Sequence, residues 1–407
     1  MTSALTDDQF AYLCTLRQEL HQMPEVSGEE AQTAARIAQE LERAGADRIW
    51  TGLGGHGVAA EFAGRQTGGP VVMIRCELDG LPIHEISEAP HRSRIDGKGH
   101  LCGHDGHMVM VLGVALALKA RPATGRVILL FQPAEETGAG AEAVIGDPRW
   151  PEIRPDYAFA YHNVPGRPLG EIGLRSGTSN CASRGMKISL AGKTSHAAAP
   201  EDGVSPADVM ARLMQTLPAL GGGGVMDEDF ALATLTHAQL GEASFGIAPG
   251  DGELRVTLRS QTDMRMDLMV QQAKAQLAQA LDTSAGETKE APVAELSWHE
   301  VFLATVNDAD AIEIASRAAT QLGLAQYEMD SPMRWSEDFG RFGLAGAKSA
   351  MLFIGSGEAQ PQLHNPNFDF PDAVTPVGVS LFLAVINQIL LEPVEITPAV
   401  PQAACNG

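Results

Sequence analysis

The chain has 407 residues, 44% hydrophobic and 20% charged, which is enough to bury a core spread over more than one domain. With 29 Lys and Arg against 51 Asp and Glu, its net charge of −22 excludes a binder of the nucleic-acid backbone, which needs clustered cations. The five cysteines (Cys14, Cys76, Cys102, Cys181 and Cys405) are odd in number and scattered, so no disulfide framework is expected and a reducing, cytoplasmic setting is.

The opening residues MTSALTDDQF lack the basic and apolar regions of a signal peptide. No uninterrupted apolar run reaches the roughly 18 residues of a membrane span; the best, VMVLGVALAL at 109–118, is far too short. Thr6-x-x-Gln9 predicts a capping box opening an amphipathic helix through Phe10, Leu13, Leu16 and Leu20. A second box, Ser27-x-x-Glu30, predicts another helix, ended by Gly45. Apolar runs at 71–76, 126–131, 157–161 and 350–355 then alternate with helical patterns at about 106–119 and 378–391. That alternation predicts an α/β fold whose sheet is covered on both faces.

Between them, strands at 187–192, 231–240, 253–260 and 293–298 and helices at 204–217 and 264–281 follow the order β-α-β-β-α-β. This is a complete ferredoxin-like α+β unit. It is expected to be a domain (183–302) inserted into a discontinuous larger one (1–182 plus 303–407). The GGGG at 221–224 lacks a strand–glycine–helix context and reads as a loop rather than a phosphate cradle. The tail PAVPQAACNG is expected to fray.

The densest chemical signal is GHLCGHDGH at 99–107, where Cys102 and His104 bracket a glycine and can meet on one turn. Glu135 and Glu136 follow the strand at 126–131, and adjacent carboxylates there are costly unless a cation sits between them. His162 follows the strand at 157–161, His364 the strand at 350–355, and Asp79 the strand at 71–76. Side chains at the carboxyl ends of several strands are the expected composition of a site in an α/β sheet. Cys102, His104, Glu136, His162 and His364 exceed the four ligands of a closed zinc site and suit two divalent ions, with zinc, manganese, cobalt and nickel all compatible. Charge accounting over such a centre leaves it net positive, which favours a small-molecule substrate bearing a carboxylate. Glu135, unable to point the same way as Glu136, is left free to serve as general base. Asp79 reads as a carboxylate orienting a ligand or loop, and His107 as a packing or site histidine. Arg259 could pair with the substrate carboxylate or with a surface acid.

These motifs resemble the metal-dependent amidohydrolases that include hippurate hydrolase, N-acyl-L-amino-acid amidohydrolase and the indole-acetyl-amino-acid hydrolases, within the aminoacylase and carboxypeptidase clan. The resemblance runs through LRQELHQMPEVSGEE (16–30), RCELDGLPIHE (75–85), HLCGHDGHMVMVLG (100–113) and FQPAEETGAGAEAVI (131–145). It continues through YHNVPGRPLGEIGLRSG (161–177), GKTSHAAAPEDGVSP (192–206), SEDF (336–339) and LHNPNFDF (363–370). It implies Cys102, His104, Glu136, His162 and His364 as metal ligands, Cys102 bridging, and Glu135 as base. It also implies an inserted lid domain that mediates a homodimer or a dimer-based tetramer, with His196 reaching toward the substrate carbonyl. Four positions depart from the family: Gly246 where an Asn is usual, Glu77 for Asp, Thr137 for Gly, and Trp335 for a small residue beside the pocket.

The expected activity is hydrolysis of the amide bond of N-acyl amino acids by water activated at a dinuclear metal site. A dipeptidase or carboxypeptidase with the same machinery is the nearest alternative. A cysteine hydrolase using Cys102 and His104 and a non-catalytic metal-dependent binding protein represent other classes; an intact Glu135 argues against the latter.

Overall fold

The computed structural model describes residues 4–285 and 290–390, so the PAVPQAACNG tail lies outside the described residues. The chain forms two compact units. The first comprises the chain up to Ser179, Thr305–Asp330 and the chain from Asp338 onward; the second comprises Asn180–Ala304 and Ser331–Glu337.

The first unit is built on an eight-stranded sheet. Its spatial order is Arg48–Leu53, Gly57–Ala63, Arg126–Gln132, Val71–Glu77, Tyr157–Val164, Lys348–Gly355, Ile172–Leu174 and Gln326–Glu328. The strands from Arg126–Gln132 through Lys348–Gly355 run parallel, and Gly57–Ala63 and Arg48–Leu53 extend the sheet antiparallel. The parallel strands are buried along nearly their whole length, which is why they read as continuous apolar runs rather than alternating ones. Helix His104–Ala117 packs against helices Asp7–Gln22, Ala31–Ala44 and Thr375–Leu390. The segment Asp372–Leu390 is long and apolar enough by composition to cross a membrane, yet most of it is buried inside the fold. Thr375, Ser380 and Asn387 interrupt its apolar run, so a search for unbroken runs passes over it.

The first capping box forms: Thr6 Oγ1 accepts the Gln9 N–H at 3.2 Å and Gln9 Oε1 accepts the Thr6 N–H at 2.9 Å. The second does not. Ser27 donates instead to Asp79 Oδ2 at 2.6 Å, and the Glu30 carboxylate accepts the Ala134 N–H at 2.8 Å. The helix starts at Ala31 without a side-chain cap and ends at Gly45, with φ +80°. Tertiary partners have outcompeted the local cap.

The second unit holds a four-stranded antiparallel sheet in the order Ala231–Leu240, Asp251–Ser260, Ala182–Ala191, Val293–Phe302, with helices Ala207–Thr216 and Asp263–Ala285. Its first and last strands in chain order are neighbours, as in a ferredoxin-like unit. It has its own apolar core around Met186, Ile188, Leu213, Val256 and Met269. Ser331–Glu337, which the sequence reading leaves with the larger domain, groups with this unit because Met333 bridges to Asn180 and accepts the Cys181 N–H at 3.0 Å.

Candidate metal centre

The four parallel strands end at one edge of the sheet, and the chemical side chains of the first unit gather there. Asp79 lies two residues beyond Val71–Glu77, Glu135 and Glu136 just beyond Arg126–Gln132, and His162 near the end of Tyr157–Val164. His364 sits on the loop after Lys348–Gly355, and Cys102 and His104 at the start of helix His104–Ala117. Gly103, between them, has φ +97°, and a Cβ there would meet Asn163 Oδ1 at 2.6 Å, so only glycine lets this turn close. The His364 N–H donates to the Leu101 carbonyl at 2.8 Å, tying the two ligand-bearing loops together.

The donor atoms converge in overlapping sets. Cys102, His104 and His162 lie with ligand atoms within 4.8 Å of one another; so do Cys102, Glu136 and His364, and so do His104, Glu135 and Glu136. Cys102 Sγ is 3.4 Å from His162 Nε2, and Glu136 Oε1 is 3.9 Å from His104 Nε2 and 3.7 Å from His364 Nε2. Donors around a tetrahedral ion at ordinary bond lengths stand about 3.3–3.8 Å apart. The separations lie within or close to that range, and the two between Glu136 and the imidazoles are too long for hydrogen bonds. His104 Nε2 and Glu136 Oε1 are buried and have no hydrogen-bond partner, which a cation between them would satisfy.

The two buried rings are aimed by backbone carbonyls. His104 Nδ1 lies 2.8 Å from the Asp79 oxygen and His162 Nδ1 2.9 Å from the Asn163 oxygen, so both rings present Nε2 to the centre. Asp79 also accepts the Glu136 N–H at 3.0 Å, which gives the carboxylate noted in the sequence a structural contact to both strand-end loops. Burial opposes charge on His104, but Glu77, Asp79 and Glu136 outweigh it and raise the ring to about 10. Burial pushes Glu136 up to about 7, with His104 opposing and Asp79 and Glu77 assisting. Burial, with His107, holds His162 well below the usual imidazole range, leaving a neutral ring. A carboxyl resisting ionisation between one ring held charged and one held neutral is an electrostatic environment that a divalent ion reverses.

A sequence model described as Peptidase family M20/M25/M40 matches residues 73–388. The chain belongs to this family. It is 30% identical over 388 residues to N-acetylcysteine deacetylase of Bacillus subtilis, covering 94% of this chain and 98% of that protein. It is 28% identical to hippurate hydrolase of Campylobacter jejuni, covering 90% and 94%. Among solved structures it is similar to the Bacillus subtilis YXEP protein, described as a dinuclear metal binding peptidase of the M20 family, with a TM-score of 0.77, 26% identity and coverage of 95% and 99%. The α/β fold is thus that of M20 peptidases, and the fold class and family expected from the motifs hold.

One sequence expectation for this M20 site is corrected. Glu135 is expected to be unable to point the same way as Glu136, yet one carboxylate oxygen of each lies in a common set with His104. The strand ends at Gln132 and the chain turns back at Ala134, with φ +50°, so alternation no longer applies. His107 does not join the ligand sets of Cys102. It is held between Glu77 Oε2 at 2.7 Å and Asn163 Oδ1 at 2.8 Å. Glu77 in turn pairs with buried Arg75, which also donates to Asp338 Oδ1 at 2.7 Å. Ser27, Glu30 and Asn163 were missed as site residues. Ser27 and Glu30 looked like a local cap, and Asn163 beside His162 carries no pattern of its own.

The remaining candidates belong to the second unit. His196 is exposed on the short strand Ser195–His196, which pairs with Ile247–Ala248. Arg259, partly buried, donates to the Arg334 carbonyl and Ser336 Oγ, both at 3.1 Å, and feels the Glu300 carboxylate without a direct ion pair to it. Trp335 is partly buried in the Ser331–Glu337 segment.

Proposed function

We propose that this M20 protein is a metal-dependent amidohydrolase that cleaves the amide bond of N-acyl amino acids, using two divalent ions per chain. The observation that carries the reading is the sharing of Cys102 between two sets of ligand atoms, one with His104 and His162 and the other with Glu136 and His364. A thiolate common to both is the donor a two-ion centre needs. The mixed sulfur, nitrogen and oxygen set suits zinc, manganese, cobalt or nickel. Such ions, when bound, supply a low-pKa water and polarise the substrate carbonyl.

The chain's own residues do the rest. Glu135 takes the proton from the attacking water and returns it to the leaving nitrogen. Asp79 holds His104 and the Glu136 backbone in place. His196 donates toward the developing oxyanion, and the Arg259 guanidinium, which makes no direct ion pair among the described residues, takes the substrate carboxylate. Trp335 lines the acyl pocket. Open edge strands at Ala231–Leu240 and Val293–Phe302 support dimerisation through the second unit, with His196 serving the partner's site. Cys14, Cys76, Cys102 and Cys181 are buried and none is in a disulfide among the described residues, which supports a reducing, cytoplasmic setting.

The names of the deacetylase and hippurate hydrolase relatives favour N-acyl amino acids over dipeptides. The test is amine release from a panel of N-acyl amino acids and dipeptides by enzyme reconstituted with each metal. Turnover of N-acyl amino acids that vanishes on chelation is expected. Preference for free dipeptides, or full activity without metal, overturns the reading.

A further inference from the structure

We infer that Glu30 is a positioning residue for catalysis: its carboxylate holds the backbone of Ala134 in the turn that aims Glu135. The inference rests on the reading of Glu135 as general base. Glu30 is fully buried at the start of helix Ala31–Ala44, 104 residues from Ala134 in sequence, and accepts the Ala134 N–H at 2.8 Å. Ala134 has φ +50°, a conformation that alanine adopts only under constraint.

The turn must exist for the site to form. Glu135 and Glu136 are consecutive, and an extended chain would send them to opposite faces. Here both carboxylates reach the His104 set. The far side of the turn is closed by Gly138 N–H on the Glu135 carbonyl at 2.7 Å and by Gly140 N–H on the Ala134 carbonyl at 3.1 Å. Its near side is fixed from outside the loop at two points. Asp79 takes the Glu136 N–H, and Glu30 takes the Ala134 N–H. The two anchors divide the labour: Asp79 bears on the ligand, Glu30 on the base. The contact is one backbone N–H on one carboxylate oxygen, so what the turn needs from this side chain is an acceptor at a set reach, which a carboxamide oxygen also supplies.

Reach and charge are separated by two variants. Glu30→Gln keeps the length and an acceptor oxygen but removes the charge. Glu30→Asp keeps the charge but withdraws the acceptor by about 1.5 Å. Both are made in the full chain, loaded with metal, and followed by metal stoichiometry, kcat, KM and amide hydrogen exchange of the segment containing Ala134. Glu30→Gln is expected to keep kcat within about threefold and to keep the Ala134 amide protected. Glu30→Asp is expected to lower kcat by on the order of 10²-fold, with KM and bound metal near wild type and the amide exposed to exchange. The reverse ranking, loss of metal in step with activity, or an unchanged Ala134 amide in Glu30→Asp overturns the proposal. If Glu30→Asp does not fold, loss of Ala134 protection or turnover in Glu30→Gln overturns it equally. Should Glu135→Gln itself retain turnover, the base assignment fails, while the exchange result still decides whether Glu30 holds Ala134.

Discussion

Arg17 and Asp105 form a buried ion pair at 2.9 Å, one residue beyond His104. The same guanidinium reaches Asp369 at 2.8 Å and Asp372 at 2.5 Å, on the segment that follows His364. One side chain from helix Asp7–Gln22 thus ties together the two stretches that bring His104 and His364 to the centre. Arg17→Met would take a charged partner from three carboxylates, two of them buried, and leave Asp105 with His21 and Asp369 with His91. Breaking such a network typically costs about 3–5 kcal/mol. Urea unfolding should show the midpoint falling by a corresponding amount, and Arg17→Lys should recover only part of it, since an ammonium cannot bridge in a fork.

His21 lies within the same cluster. Burial opposes its charge, but Asp105 at 2.9 Å and Glu85 at 3.3 Å prevail over both burial and Arg17 and raise the ring to about 10. Asp369 at 3.9 Å and the rings of His91, 5.5 Å away, and His100, 6.4 Å away, also face it. Because the folded value lies above the unfolded one, the stabilisation is complete below about pH 6.5 and is lost as pH rises through 10. Thermal midpoints should therefore decline between pH 7 and 10, and His21→Asn should flatten that decline. An equally steep slope in the variant would remove His21 as its source.

The two neighbouring glutamates should fail differently. Glu136→Gln should lose metal, with activity partly restored by excess ion. Glu135→Gln should keep its metal and lose turnover by about 10²–10⁴-fold, the usual range for removal of a general base. Metal stoichiometry measured beside kcat separates the two roles. A metal-depleted Glu135→Gln would reverse the assignment.

If His196 serves the partner subunit, inactive His196→Ala chains mixed with inactive Glu135→Ala chains should regain partial activity, because a hybrid dimer contains one intact combination. Mixtures that form hybrids yet stay inactive would place His196 in its own subunit's site or outside catalysis.

The metal-ligand candidates were legible because their signals are short and local: Cys102-Gly-His104, the paired glutamates, and histidines placed after apolar runs. The helix stop at Gly45 and the cap at Thr6 were legible for the same reason. Ser27 and Glu30 misled because a side chain near a helix start has two possible employers, the local backbone and a distant loop. Sequence shows only the first. Strands Ile172–Leu174 and Gln326–Glu328 are too short to carry a period, and only their neighbours define them. The turn at Ala134 was invisible because nothing about an alanine announces a positive φ.

The sheet order also dictates when the first unit can be completed. Lys348–Gly355 lies beside Tyr157–Val164, although the whole second unit is encoded between them. During synthesis, the strands ending at Gln132, Glu77 and Val164 emerge long before the strand and buried helix that finish their layer. Residues 180–304 can collapse around their own core in that interval, while the apolar surface of the earlier half waits uncovered. Such distant pairing makes assembly slow and leaves the nascent chain open to aggregation. Cys102 and His104 therefore acquire their last proposed partner, His364, only after all of residues 180–304 has been made.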